Sequence, residues 1–263
     1  MLLKNCALLT TIENNTDNKN SKMLNTERKY FDEAVKCFES WQKFHPEVKI
    51  YAVCPTNATL SKKEQKVLEK LNVKYIEKYF PETETFENGF INVALVIQDL
   101  EDKIKEKIII HTDLDMVLLK PLDNKIFAPI FDEEIICGKY DENARKCQRV
   151  DYDTGFTIHL RNTRFYKVYW NKIKEILQGD IELPEGVLYY DIEEYAMQLI
   201  AQEGKYKITP IQKYQLGEGY PSIDSFSDEE LKYVYFWHEH IVGEKKEELI
   251  KERIKYFKRV KGL

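Results

Sequence analysis

Along the first part of the chain, short apolar runs alternate with segments whose apolar residues recur at helical spacing. Cys6-Ala7-Leu8-Leu9-Thr10-Thr11 is an apolar run ending in two hydroxyls and predicts a strand. Glu13 to Ser21 is polar throughout and predicts a loop. From Lys29 to Phe44 the apolar set Phe31, Ala34, Val35, Phe38, Trp41 and Phe44 falls on one helical face, closed by Pro46. Val48 to Cys54 predicts a second strand, stopped by Pro55. Ser61-Lys62-Lys63-Glu64 has the form of a capping box, in which serine and glutamate each satisfy a backbone N–H at a helix start, so a helix is expected through Leu71. Val73 to Ile76 predicts a short third strand, and Phe90 to Leu100 a buried helix. That helix delivers the chain to Lys107-Ile108-Ile109-Ile110-His111-Thr112, an isoleucine run of the kind buried on both faces in the centre of a parallel sheet.

The alternation of strand and helix predicts an α/β fold, a mostly parallel twisted sheet with helices on both faces. The second half predicts strands at Glu134–Gly138 and Gly155–Leu160, and helices at Asn162–Leu177 and Tyr189–Ala201. It continues with a strand-like run, Tyr233–Trp237, and a terminal helix over Lys245–Lys261. Without an internal repeat or a clear linker, residues 1–263 are expected to form a single domain. Its first half would span 1–120 and its second half 121–263.

The isoleucine strand runs into Asp113-Leu114-Asp115. Ligands of open α/β sheets gather at the carboxyl ends of the strands. Two ionised carboxylates there call for an offsetting cation, and an oxygen-preferring divalent ion, Mn²⁺ or Mg²⁺, is the natural candidate. The bland alternative is a solvated polar strand end. His238 and His240 are spaced two apart after an apolar run, so on an extended chain they point the same way, and one of them could reach such a metal. Gly243 would let backbone approach closely and Lys246 supplies a cation, which together suit a diphosphate. Neither a G-x-G-x-x-G nor a Walker loop is present.

Asp191, Glu193 and Glu194 crowd the start of one predicted helix, where carboxylates also simply complement the helix dipole. The basic tail has two explanations as well. Leu249, Ile250, Ile254, Tyr256, Phe257 and Val260 interleave with Lys251, Lys255, Lys258, Arg259 and Lys261. Such a helix either packs its apolar stripe on the domain, the commoner case, or makes peripheral contact with anionic membrane lipid.

Composition narrows the class. A formal net charge of -5 argues against wholesale nucleic-acid binding. Cys6, Cys37, Cys54, Cys137 and Cys147 are scattered and odd in number, which suits reduced thiols in a cytoplasmic protein. No signal peptide or membrane-spanning run is expected.

In these motifs the chain resembles the GT-A fold (Rossmann-like) glycosyltransferases. Asp113-Leu114-Asp115 followed by Leu118-Leu119-Lys120-Pro121-Leu122 is similar to their D-x-D segment. His240, Gly243 and Lys246 match the H-x-x-G-x-x-K signature of retaining family 8, the glycogenin and lipopolysaccharide galactosyltransferase group. Asp153-Thr154-Gly155-Phe156 resembles the N-[ST]-G-[VF] segment beside the donor sugar, with aspartate in place of asparagine.

The resemblance implies that Asp113, Asp115 and His240 hold Mn²⁺ or Mg²⁺ against the diphosphate of a nucleotide-sugar donor, UDP being the commonest nucleotide. Thr10, Thr11, Thr154, Gly155, Gly243 and Lys246 would lie against nucleotide, sugar or phosphate. A carboxylate near the anomeric carbon would come from Asp191, Glu193, Glu194 or Asp153. The acceptor would be a glycan or a lipid-linked sugar, and transfer would retain anomeric configuration. Two rivals remain at this stage. Asp113-Leu114-Asp115-Met116-Val117 also fits the D-x-D-x-[TV] motif of haloacid-dehalogenase-like phosphatases, with Asp113 as nucleophile, though that motif should end the first strand of its domain. The other is a non-catalytic module that binds sugar nucleotides without turnover.

Overall fold

The computed structural model describes residues 2–12, 30–55, 59–81, 92–140, 150–187, 191–212, 214–217, 223–238 and 246–261. In chain order the first half holds β1 (Cys6–Thr11), α1 (Tyr30–Phe44), β2 (Lys49–Cys54), α2 (Lys62–Lys70), β3 (Val73–Glu77), α3 (Asn92–Leu100), β4 (Ile108–Thr112) and β5 (Met116–Leu118). The second half holds β6 (Ile135–Lys139), β7 (Tyr152–Leu160), α4 (Phe165–Leu177), α5 (Ile192–Glu203), β8 (Ile208–Gln212), β9 (Gln215–Gly217), β10 (Phe236–His238) and α6 (Lys246–Lys261).

A seven-stranded sheet runs in the order β3-β2-β1-β4-β7-β6-β8. Strands β3, β2, β1 and β4 are mutually parallel, and β7 runs antiparallel to both its neighbours. The isoleucine run is central, as expected, and its alternation shows why it is unbroken. Ile108 and Ile110 enter the apolar layer under α1, with Phe38, Trp41 and Phe156. Ile109 enters the opposite layer, with Leu95, Ile97, Tyr166 and Ile173 of α3 and α4. Each such buried side chain contributes about 1.5–3 kcal/mol of transfer free energy, so both faces of β4 are committed to core.

Local signals act where expected at α2. Glu64 N–H donates to Ser61 Oγ at 3.3 Å and Ser61 N–H donates to Glu64 Oε2 at 2.7 Å, completing the capping box. A second sheet, β5-β10-β9, crosses beside the carboxyl end of β4. It carries a satellite apolar cluster of Leu119, Leu216, Ile223, Phe226, Leu231, Val234, Trp237 and Tyr256. Through Tyr256 that cluster receives α6, and the Arg259 guanidinium donates to the carbonyls of Ile223 and Phe226 at 2.9 Å each. The basic tail thus packs on the protein along one stripe, while Ile254 and Val260 stay exposed.

Among the described residues no helix is long and apolar enough to cross a membrane. Among the described residues, the side chains of Cys6, Cys37, Cys54 and Cys137 are all buried.

The pairing of β6 with β7 breaks between Cys137 and Gly138. Cys137 pairs with Thr157, yet Gly138 pairs with Asp153. Residues 154–156 are therefore left out of that ladder, while β7 keeps its register with β4, Phe156 pairing with Thr112. Continued by one residue, that register sets Gly155 against Asp113.

Candidate active site

Strand β4 ends at Thr112, and the next residue, Asp113, sits at its mouth with a 41% exposed side chain. The Asp113 N–H donates to the Gly155 carbonyl at 2.9 Å, continuing the β4–β7 ladder by one residue. Gly155 leaves room here for two carboxylates. A Cβ on it would lie 2.7 Å from Asp113 Oδ2 and 3.1 Å from Asp153 Oδ1. On the other side of Asp113, His111 Nε2 lies 3.3 Å from Oδ1. The other ring nitrogen of His111 sits 3.0 Å from the Leu9 carbonyl, which only accepts, so Nδ1 carries a proton and the ring is fixed.

Asp115, two residues on, faces His238. Their Oδ1 and Nε2 atoms are 3.0 Å apart, with side chains 14% and 12% exposed. This contact arises because β10 pairs antiparallel with β5, setting His238 opposite Met116. Burial pulls the His238 pKa down, but the carboxylate of Asp115, with Asp113 and Asp153, outweighs it and leaves the net shift upward. Of the two candidate histidines, His238 is the one seen to reach the aspartates. His240 and Gly243 lie outside the described residues, and Lys246 opens α6 with its side chain likewise undescribed.

Asp153 is buried behind this pair. Its Oδ1 accepts from Gly155 N–H at 3.0 Å, its Oδ2 accepts from the Gln215 side-chain amide, and Tyr214 adds a hydrogen bond. Burial, then the Asp113 charge, nevertheless push its carboxyl up. Thr154 is half-buried and hydrogen-bonds Tyr169. Thr10 is buried, and its hydroxyl donates to the Thr112 carbonyl at 3.1 Å, tying β1 to β4, whereas Thr11 is partly open.

Asp191 occupies the N-cap position of α5 without a side-chain capping bond, and Glu193 and Glu194 occupy its first turn. A dipole-complementing role would leave these carboxylates in water, yet the three residues are only 4%, 9% and 8% exposed. They form the back of the same group. Desolvation raises Glu193 to about 8, with Asp191 and Asp113 adding to the shift. Burial also raises Glu194, reinforced by Glu193 and Asp153 and opposed by a hydrogen bond from the Tyr140 hydroxyl. The expected segments thus converge, since Asp113, Asp153 and the acidic turn of α5 feel one another's charge.

His111, Tyr140, Tyr214 and Gln215 belong to the site without having been singled out from sequence. Only His111 carried a legible signal, because residues two apart on a strand share a face and it precedes Asp113 by two.

Oxygen from Asp113 and Asp115 together with an imidazole is a donor set suited to Mn²⁺ or Mg²⁺. Among the described residues, no three His, Cys, Asp or Glu side chains converge as a complete metal cage.

No known protein-family profile matches the chain, and no curated protein is similar in sequence. Among solved structures it is similar to the crystal structure of a glycosyltransferase involved in the glycosylation of the major capsid of PBCV-1. The two share 12% identity and a TM-score of 0.53, over 94% of this chain and 98% of that one. At that identity the likeness is one of fold: this chain has a mixed α/β, GT-A-like glycosyltransferase fold, with an aspartate at the mouth of its central strand.

Proposed function

We propose that this chain is a metal-dependent glycosyltransferase that moves a sugar from a nucleotide diphosphate sugar, UDP-linked, to a glycan or lipid-linked acceptor. The observation that carries the proposal is the meeting of Asp113, Gly155 and Asp153 at the carboxyl end of the central strand in a fold of this kind. Asp113, Asp115 and a histidine, His240 or the described His238, would hold Mn²⁺ or Mg²⁺. Such an ion supplies Lewis-acid stabilisation of the departing diphosphate when bound.

The remaining work falls to the protein's own groups. Thr11, Thr154 and Gly155 line the strand ends where nucleotide and sugar would rest, with Thr10 bracing them. Lys246 and Gly243 suit the diphosphate. At the anomeric carbon the transition state is cationic, and one carboxylate among Asp153, Asp191, Glu193 and Glu194 stabilises positive charge there. Glu193, raised to about 8 by burial, is the one suited to moving a proton near neutral pH. The resemblance to family 8 favours retention of configuration. The phosphatase alternative is disfavoured by the three strands that precede β4.

The test is calorimetric titration of UDP, GDP and CMP with and without Mn²⁺. Metal-dependent binding of one diphosphate, lost in Asp115→Ala and in His238→Ala or His240→Ala, is the expected result. Absence of binding by every nucleotide would refute the proposal. Turnover of the bound donor separates an enzyme from a binding module.

A further inference from the structure

His111 stands at the mouth of the central strand and has no part in the chemistry proposed above. Its side chain is only 3% exposed. Nδ1 lies 3.0 Å from the carbonyl of Leu9, its register partner on β1. A carbonyl only accepts, so Nδ1 carries a proton, and a neutral ring then presents its lone pair at Nε2. Nε2 faces Asp113 Oδ1 at 3.3 Å. A lone pair and a carboxylate held this close repel unless a cation joins them.

A second proton on Nε2 is one such cation. It would make a charge-assisted bond of about 2.7–2.9 Å, shorter than the 3.3 Å observed. A divalent metal is the other. Two ligands each about 2.1 Å from an ion, at about a right angle, lie about 3.0 Å apart, and a slightly wider angle gives the observed spacing. The bond to Leu9 fits the same role. A histidine that ligates metal through one nitrogen ordinarily donates its other N–H to a carbonyl or carboxylate, which fixes ring and tautomer. Among the described residues no third His, Cys, Asp or Glu converges on the pair, and an ion that works on a diphosphate takes its remaining ligands from phosphate and water. We infer that His111 is a metal ligand beside Asp113, and that its imidazole tips the site toward Mn²⁺ and away from Mg²⁺, which prefers oxygen. The inference rests on the metal-dependent reading of the site and adds a ligand that neither D-x-D nor H-x-x-G-x-x-K contains.

The experiment is pulsed EPR of Mn²⁺ bound to the full chain with the nucleotide that binds, in which a coordinated imidazole nitrogen couples to the Mn²⁺ spin. The variant is His111→Asn, whose short amide can keep the bond to Leu9 but places no ligand at the Nε2 position. One imidazole coupling should disappear in it. Its Mn²⁺ affinity should fall about tenfold or more, and its Mg²⁺ affinity by a smaller factor, with a thermal melt to show that it folds. Undiminished nitrogen coupling in the variant, or equal losses for the two ions, would overturn the inference and leave His111 a brace for Asp113. If His111→Asn does not fold, the double variant His238→Ala/His240→Ala decides. His45 Nε2 accepts from the Leu122 N–H and His159 pairs with Glu101, so imidazole coupling in that variant comes from His111, and its absence there overturns the inference. If no Mn²⁺ binds with any nucleotide, the metal-dependent reading itself fails and the inference falls with it.

Discussion

Gly155→Ala is the most direct probe of the site because its structural effect can be worked out atom by atom. The added Cβ would stand 2.7 Å from Asp113 Oδ2 and 3.3 Å from Asp113 Cγ, where ordinary contact begins at 3.4 Å. The carboxylate must then retreat by about 0.7 Å. It has room to do so, since the Asp113 side chain is 41% exposed. The strain therefore falls at the low end of overpacking costs, about 1 kcal/mol, or a Tm shift of roughly 2–4 °C for a chain of this size.

Function should suffer more than stability. The retreat pulls Asp113 Oδ1 away from its 3.3 Å contact with His111 and moves the group proposed to meet the diphosphate. Displacements near 1 Å in positioned groups cost about a hundredfold, so Mn²⁺-dependent nucleotide affinity should weaken by about ten- to a hundredfold. Calorimetry on the variant, with a thermal melt as control, measures both effects. Wild-type nucleotide affinity in a folded Gly155→Ala protein would refute the placement of Asp113 against Gly155 as a functional contact.

Two further outcomes are expected. Glu106 is buried yet its carboxyl lies below 4.5, because the Lys49 ammonium at 2.6 Å and the Tyr51 hydroxyl at 3.2 Å outweigh the burial that would raise it. A depressed folded value stabilises the fold above the ordinary carboxylate range and loses that contribution as pH falls through the folded value. Tm measured from about pH 6 to about pH 3 should therefore fall more steeply in the wild type than in Lys49→Met, and parallel slopes would contradict the pairing. Tyr256→Ala should remove the anchor of α6, whose ring is 2% exposed in the satellite cluster. The expected loss is about 3 kcal/mol, or a Tm drop of roughly 6–12 °C, and an unchanged melt would show that α6 is not part of the cooperative unit.

What sequence alone determined is what short-range physics determines. The isoleucines of β4 had to be buried on both faces, Ser61 and Glu64 had to cap a helix, and an apolar stripe with Tyr256 had to find a surface. Each follows from periodicity or from a hydrogen bond a few residues long. The arrival of Asp113 at a strand mouth was legible for the same reason.

Tertiary structure decided the rest, because the deciding contacts join residues far apart in the chain. The antiparallel register of β7 on β4 brings Gly155 against Asp113, and no local pattern encodes the register between strands far apart in the chain. Strand β7 runs antiparallel inside an otherwise parallel run, so Asp153 to Gly155 lie within a strand instead of before one. Antiparallel pairing of β10 with β5 set His238 opposite Met116 and within 3.0 Å of Asp115, a contact that sequence spacing left open. Glu193 and Glu194 satisfy a helix start in any protein. Only the packing of α5 behind Asp153 turned them from solvated dipole partners into buried acceptors, because burial is set by what covers a side chain and not by the residues beside it.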